Sequence, residues 1–148
     1  METKRVMTGE ELKQCFSVRL KVFVEEQKVP ADLEIDEFDA SLDACHHLLL
    51  QGEDGTPVGT GRWRFYTPDT AKLQRIAVLS EYRGIGAGRR VIAALEAWAR
   101  EEGAAYSLLD AQCQAEAFYA KLGYETISDE PFDDAGIPHV RMRKSLVE

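Results

Sequence analysis

Residues Arg83-Gly84-Ile85-Gly86-Ala87-Gly88 place three glycines at alternate positions, after an apolar run with strand character and before a strongly amphipathic stretch. Glycine permits backbone torsions and close approaches that a Cβ forbids, and the free N–H groups of a helix start point outward at an anion. The order strand, glycine turn, helix therefore predicts an α/β fold that offers backbone amides to a phosphate-bearing ligand. Charge points the same way. The chain carries 18 basic and 26 acidic residues, net −8, which disfavours nucleic acid or an anionic membrane as principal partner. Yet residues 82–95 hold Arg83, Arg89 and Arg90 and no acid, a local +3. A small polyanionic ligand accounts for both; the bland alternative is a solvated helix face with incidental charge.

A length of 148 residues predicts one domain with a core that needs neither disulfides nor metals. No apolar stretch approaches the roughly 18 residues needed to span a bilayer, so no membrane association is expected. Met1-Glu2-Thr3-Lys4-Arg5 lacks the pattern of a cleaved signal. Cys15, Cys45 and Cys113 are odd in number and widely spaced, which suggests neither a disulfide framework nor a zinc site. A reducing cytoplasm is the expected location.

Along the chain, Thr8 and Glu11 form a capping-box pattern, and Leu12, Phe16, Leu20 and Phe23 follow at helical spacing, predicting a sheet-packed helix that ends before Pro30. His46–Gln51 and 58–66 read as strands joined by a turn over Gly52-Glu53-Asp54-Gly55. A further strand is expected over 72–79, and the glycine turn follows it. In the helix over 88–101, Val91, Leu95 and Trp98 share a face, and Gly103 marks its stop. A strand over 106–109, a short helix over 115–122, and strands near 124–128 and 139–144 complete a mixed α/β order.

Two familiar glycine motifs do not fit. A triphosphatase loop needs Lys and then Ser or Thr after its last glycine, whereas Arg89 and Arg90 follow here. A dinucleotide fold places its loop after the first strand, not after a helix and three strands. The pattern R-x-x-G-x-G at Arg83, Gly86 and Gly88, with the upstream run Leu73-Gln74-Arg75-Ile76-Ala77-Val78, instead resembles the coenzyme A signature of the GNAT acetyltransferase superfamily. Ala115-Glu116-Ala117-Phe118-Tyr119-Ala120-Lys121-Leu122-Gly123-Tyr124 is similar to that superfamily's A-x-x-F-Y-x-K-x-G-[FY] element. The segments 22–30, 34–39 and 136–142 resemble a narrower branch, the ElaA/YjcF-like acetyltransferases. The resemblance spans nearly the whole chain and implies a twisted mixed sheet of about six to seven strands with flanking helices, splayed at the cofactor cleft.

It also implies an activity: transfer of an acetyl group from acetyl-coenzyme A to a primary amine by direct attack. The loop amides from Arg83 through Gly88 would hold the pyrophosphate, helped by the side chains of Arg83 and Arg89. The backbone of Ile76, Ala77 and Val78 would accept the pantetheine arm beside Phe118, with the Val78 N–H as oxyanion donor. Tyr119 matches the position that protonates the departing thiolate; its bland role is an aromatic packed beside Phe118.

The strand glutamate often found as general base is missing, since Gln74 and Arg75 stand in that region. Glu26, Asp110 and His139 are the candidate bases. Acceptor recognition is expected from 24–39, with Glu26, from Arg62 and Arg64, and from 136–142, with His139. The acids Glu25, Glu26, Glu34, Asp36 and Glu37 would suit a cationic amine, and equally suit a solvated loop. No metal is expected, because strand alternation sends His46 and His47 to opposite faces. Cys113 could support an acyl-enzyme step, though a small buried residue is the simpler reading. The alternative enzyme uses the same donor site for a longer acyl group or a non-amine acceptor, and a non-catalytic acyl-coenzyme A sensor is the competing class. Many superfamily members pair, so a homodimer is a further implication of the resemblance.

Overall fold

The computed structural model describes residues 1–147 and builds an eight-stranded mixed sheet in the order β1-β2-β3-β4-β5-β8-β6, with β7 paired to β8. The strands are β1 (Glu2–Arg5), β2 (His46–Gln51), β3 (Pro57–Thr67), β4 (Thr70–Val78), β5 (Tyr106–Gln112), β6 (Glu125–Thr126), β7 (Phe132–Asp134) and β8 (Ile137–Ser145). The helices are α1 (Gly9–Arg19), α2 (Ala31–Glu34), α3 (Ala87–Glu101) and α4 (Glu116–Lys121). Two of the eight strands match none of the six segments expected from sequence. β1, Glu-Thr-Lys-Arg, is a polar edge strand with no hydrophobic alternation to betray it, and β7 is three residues long.

The core lies between the sheet and α3. Leu48, Leu50, Trp63, Leu73, Leu109 and Met142 from the strands meet Val91, Ile92, Leu95 and Trp98 from α3. Each fully buried aliphatic or aromatic side chain of this kind contributes about 1.5–3 kcal/mol. The approach of α3 to β3 is close enough to need glycine: a Cβ on Gly61 would sit 2.7 Å from Leu95 Cδ1 and 3.0 Å from Val91 Cγ1.

Helix α1 starts as expected, with the reciprocal Thr8–Glu11 capping box in place. Its later course differs from the expectation in two ways. After Arg19 the chain winds into a π-helical segment, Leu20–Glu26, in which the Gln27 N–H reaches the Val22 carbonyl at 3.0 Å. Beside the expected Leu12, the buried face carries Cys15, Val18, Arg19 and Val22, while Leu20 is exposed and Phe16 only half-buried. The helix is turned by Arg19, whose guanidinium must lie inside to meet its carboxylate partners. Wide π turns of this sort gather at functional sites, and this one borders the cleft described below. Among the described residues, no helix is long and apolar enough to cross a membrane.

Candidate functional site

Parallel pairing between β4 and β5 runs only from Thr70↔Tyr106 to Leu73↔Leu109, after which the two strands part. The cause is visible in β4. Three β3 residues, Thr60 to Arg62, span four in β4, Gln74 to Ala77, and Arg75 takes a left-handed conformation with φ 56°. Such a bulge bends its strand and sharpens the local twist. A cleft of about 480 Å³ opens between the halves, walled by β4, β5, the π-helical segment, Tyr119 and the hairpin of β7 and β8.

The register fixes how β4 faces this cleft. Leu79 N–H bonds the Val58 carbonyl at 2.9 Å, so the neighbouring pair Gly59↔Val78 is a non-bonded one. By the antiparallel alternation, the N–H and C=O of Val78 point away from β3 and toward the gap. Arg83 Nε accordingly donates to the Val78 carbonyl at 3.0 Å.

Beyond β4, Gly84 and Gly86 take φ of 81° and 86°, and a Cβ on either would meet nothing within 4 Å. The conformation requires glycine, and the loop surface is open. Gly86 is the N-cap of α3, no side chain caps it, and the first turn holds no acid. Arg89 and Arg90 stand instead at the positive end of the helix dipole, an arrangement unfavourable without an anion. Ala87 is buried, Ile85 is exposed, and Gly88 lies against Phe118, with Cζ 3.4 Å from a Cβ placed there. An uncapped helix start behind an open glycine turn fits a pyrophosphate in shape and in charge.

Tyr119, on α4, lines the cleft and packs edge-on against Phe118 and Tyr124, with ring centroids 5.1 and 5.9 Å away. Burial pushes its phenol up to about 12. Tyr124 is anchored differently, in a buried chain through Ser107 at 2.6 Å and Glu96 at 2.7 Å, with Lys144 on the same Glu96 at 3.0 Å. The ring that backs Tyr119 is thus fixed by hydrogen bonds.

Of the three candidate bases, two are held in ion pairs. Glu26 receives both arms of Arg83, at 2.7 and 2.9 Å, and this holds its carboxyl below the usual range. Arg83 therefore ties the π-helical segment to the glycine turn. Asp110 would be raised by burial, but Arg141, at 2.8 and 3.2 Å, and Lys72, at 3.5 Å, outweigh that and hold it low. His139 is different. It is buried, lines the cleft and stacks on Phe132, and its Nδ1 lies 2.7 Å from the Ile137 carbonyl. A carbonyl only accepts, so Nδ1 is the donor in this contact, and Nε2 has no hydrogen-bond partner among the described residues.

The acidic segment that sequence reading assigned to the acceptor is largely engaged inside the protein. Arg19 and Arg62, both fully buried, converge on Asp39 at 2.7 and 2.8 Å; Arg19 also holds Glu34 at 2.7 Å and Arg62 holds Asp36 at 2.7 Å. Arg75 adds contacts to Glu34 at 3.3 Å and Asp36 at 3.4 Å. Three guanidinium groups thus match three carboxylates. Arg62 is enclosed in this network and does not line the cleft; Arg64 lies outside the network, its guanidinium 4.4 Å from the Phe38 ring centre. Arg19 had no role in the sequence reading, although a charged residue beside Val18 within an amphipathic helix is a signal that it has a buried partner.

The remaining polar candidates are placed plainly. His46 stacks on Trp63 at 4.1 Å, whereas His47 reaches the Phe38 carbonyl at 3.3 Å. Cys113 is half-buried, packs against the core and does not line the cleft.

Similarity to known proteins agrees with this geometry. The pattern of the Acetyltransferase (GNAT) domain matches residues 7–146. The uncharacterized N-acetyltransferase YjcF of Bacillus subtilis is 47% identical over 135 residues, 91% of this chain and 93% of its own length. A crystal structure assigned as an N-acetyltransferase from Lactobacillus plantarum superposes with a TM-score of 0.90 at 27% identity, covering 99% of this chain and 98% of the other. Escherichia coli ElaA shares the fold, with a TM-score of 0.83 at 23% identity over 97% of this chain and 99% of its own. The chain belongs to the GNAT acetyltransferase family, and is an acyltransferase of its YjcF-like branch.

Proposed function

We propose that the protein transfers an acetyl group from acetyl-coenzyme A to a primary amine by direct attack within the splayed cleft. The observation that carries this reading is the coincidence, along one path, of an uncapped glycine-turn helix start, the outward-facing Val78 backbone and Tyr119. The donor supplies the activated acyl thioester. The amides of residues 83–88 hold its pyrophosphate, with Arg89 adding charge; Arg83, engaged with Glu26, contributes mainly through its backbone. Ile76, Ala77 and Val78 lie along the donor as a strand edge, with Phe118 beside Gly88. The Val78 N–H donates to the acyl carbonyl oxygen as negative charge develops there, a contribution of about 3–4 kcal/mol for one well-placed donor.

Tyr119 keeps its proton throughout the neutral range, because burial has pushed its phenol up to about 12, and it donates a hydrogen bond to the leaving sulfur. We assign the base role to His139, whose Nε2 is the unengaged acceptor; Asp110 and Glu26 are weakened for that task by their arginine partners. The amine loses its proton to Nε2, directly or through one water, and attacks the acyl carbon.

A thiol-release assay over a panel of amines and short peptides tests this assignment. Tyr119→Phe should lower kcat by about 100-fold or more, the usual contribution of a positioned acid, while donor binding measured by calorimetry stays intact. Donor binding without turnover by the wild-type protein would instead favour an acyl-coenzyme A sensor.

A further inference from the structure

In the acidic segment Glu26, Glu34 and Asp36 are already taken up by arginines, whereas the strand face beside the cleft holds a positive excess. Arg64 and Lys72 are direct cross-strand partners, as are Asp110 and Arg141, and the three cations lie around the exposed ring of Tyr66. Arg64, Lys72 and Arg141 place their charges 5.8, 5.1 and 5.4 Å from the centre of that ring. One carboxylate, Asp110, answers these three cations. It takes both arms of Arg141, so Lys72, 3.5 Å from the same carboxylate, and Arg64 are left with a positive excess.

Arg64 has no carboxylate partner among the described residues, and its buried Nε has no hydrogen bond. Like charges gathered on one ring repel each other unless an anion joins them. The phenol of Tyr66 registers the field: the hydrogen bond from Arg141 and the nearby charges of Arg141 and Lys72 draw it below its ordinary range. Lys72 and Asp110 also line the cleft that contains Val78 and Tyr119, so the cationic patch continues the reaction site.

We propose that Lys72 and Arg64, with Tyr66 between them, bind a carboxylate of the acceptor, so that the substrate class is an amine bearing a carboxylate, as in an amino acid or an acidic peptide. This assignment rests on the acyl-transfer reading for its location, and makes the acceptor anionic at one end rather than simply cationic. A single negative charge fits better than a phosphate dianion, because Asp110 already stands beside Lys72.

Two measurements test it separately. Isotope-labelled wild-type protein is titrated with succinate, inorganic phosphate and acetamide while the backbone amides of residues 64–66 and 72 are followed by NMR. Succinate should give saturable shifts that acetamide does not, weakened about tenfold in Lys72→Gln and restored in Lys72→Arg. No shift with succinate, or tighter binding of phosphate, would overturn the carboxylate assignment. Thiol release is then compared for 4-aminobutyrate and its amide, 4-aminobutyramide. The acid should be preferred at least tenfold in kcat/KM, with the ratio falling toward one in Lys72→Gln. Equal use of both amines would overturn the subsite and leave acyl transfer standing, whereas succinate binding without release from any amine would count against acyl transfer and leave the subsite standing.

Discussion

Asp39 is where the buried charges meet, and its two arginines come from different elements, α1 and β3. Burial alone would raise its carboxyl, but the bonds from Arg19 and the Asp36 N–H, with the charges of Arg19 and Arg62, outweigh it and drive it well below the carboxylate range. The sign follows from linkage: a carboxyl lowered in the folded state adds stability that is complete above its unfolded value, about 3.9, and is lost as pH falls toward the folded one. Stability should therefore decline on acidification below about pH 4, and Asp39→Asn should flatten that decline in urea titrations. At neutral pH the same substitution should cost about 3–5 kcal/mol, since it leaves buried guanidinium groups short of a partner. Sequence patterning could suggest that Arg19 lies on an inward face; it could not identify Glu34 and Asp39, which are 15 and 20 residues away.

Elements were legible in proportion to how local their determinants are. The turn over residues 83–88 and α3 are specified by adjacent glycines and a clean apolar stripe, and both lie where the pattern puts them. Helix α1 keeps part of its predicted stripe, with Leu12 buried and Phe23 packed against Val18 and Val22, while Phe16 is half-buried and Leu20 exposed because Arg19 turns inward and a π turn interrupts the period. The β4 bulge that opens the cleft depends on pairing with β3 and leaves no mark in the strand's own residues. Two substitutions test these elements. Gly61→Ala should push α3 away from β3 and cost about 1–3 kcal/mol, the usual range for overpacking, read as a lower Tm. Gly86→Ala should cost about 1–2 kcal/mol through its left-handed φ and also weaken donor binding, whereas Gly61→Ala in the remaining folded protein should bind donor normally.

For the molecule as a whole, one irregularity organises the rest. The sheet is continuous through Leu73 and Leu109, and past that point its two halves diverge, so that Val78, Arg83 at the head of the glycine turn, Tyr119 and His139 line a single opening. The family could be read from the motifs at Arg83, Gly86, Gly88 and Tyr119, but the pairing of Glu26 with Arg83 and the contact of His139 Nδ1 with the Ile137 carbonyl required the fold. The most direct test is a titration of isotope-labelled protein with acetyl-coenzyme A followed by NMR. Saturable shifts should concentrate in the amides of residues 76–78 and 83–88, with Val78 among the largest; saturating donor that leaves those amides unmoved would contradict the account.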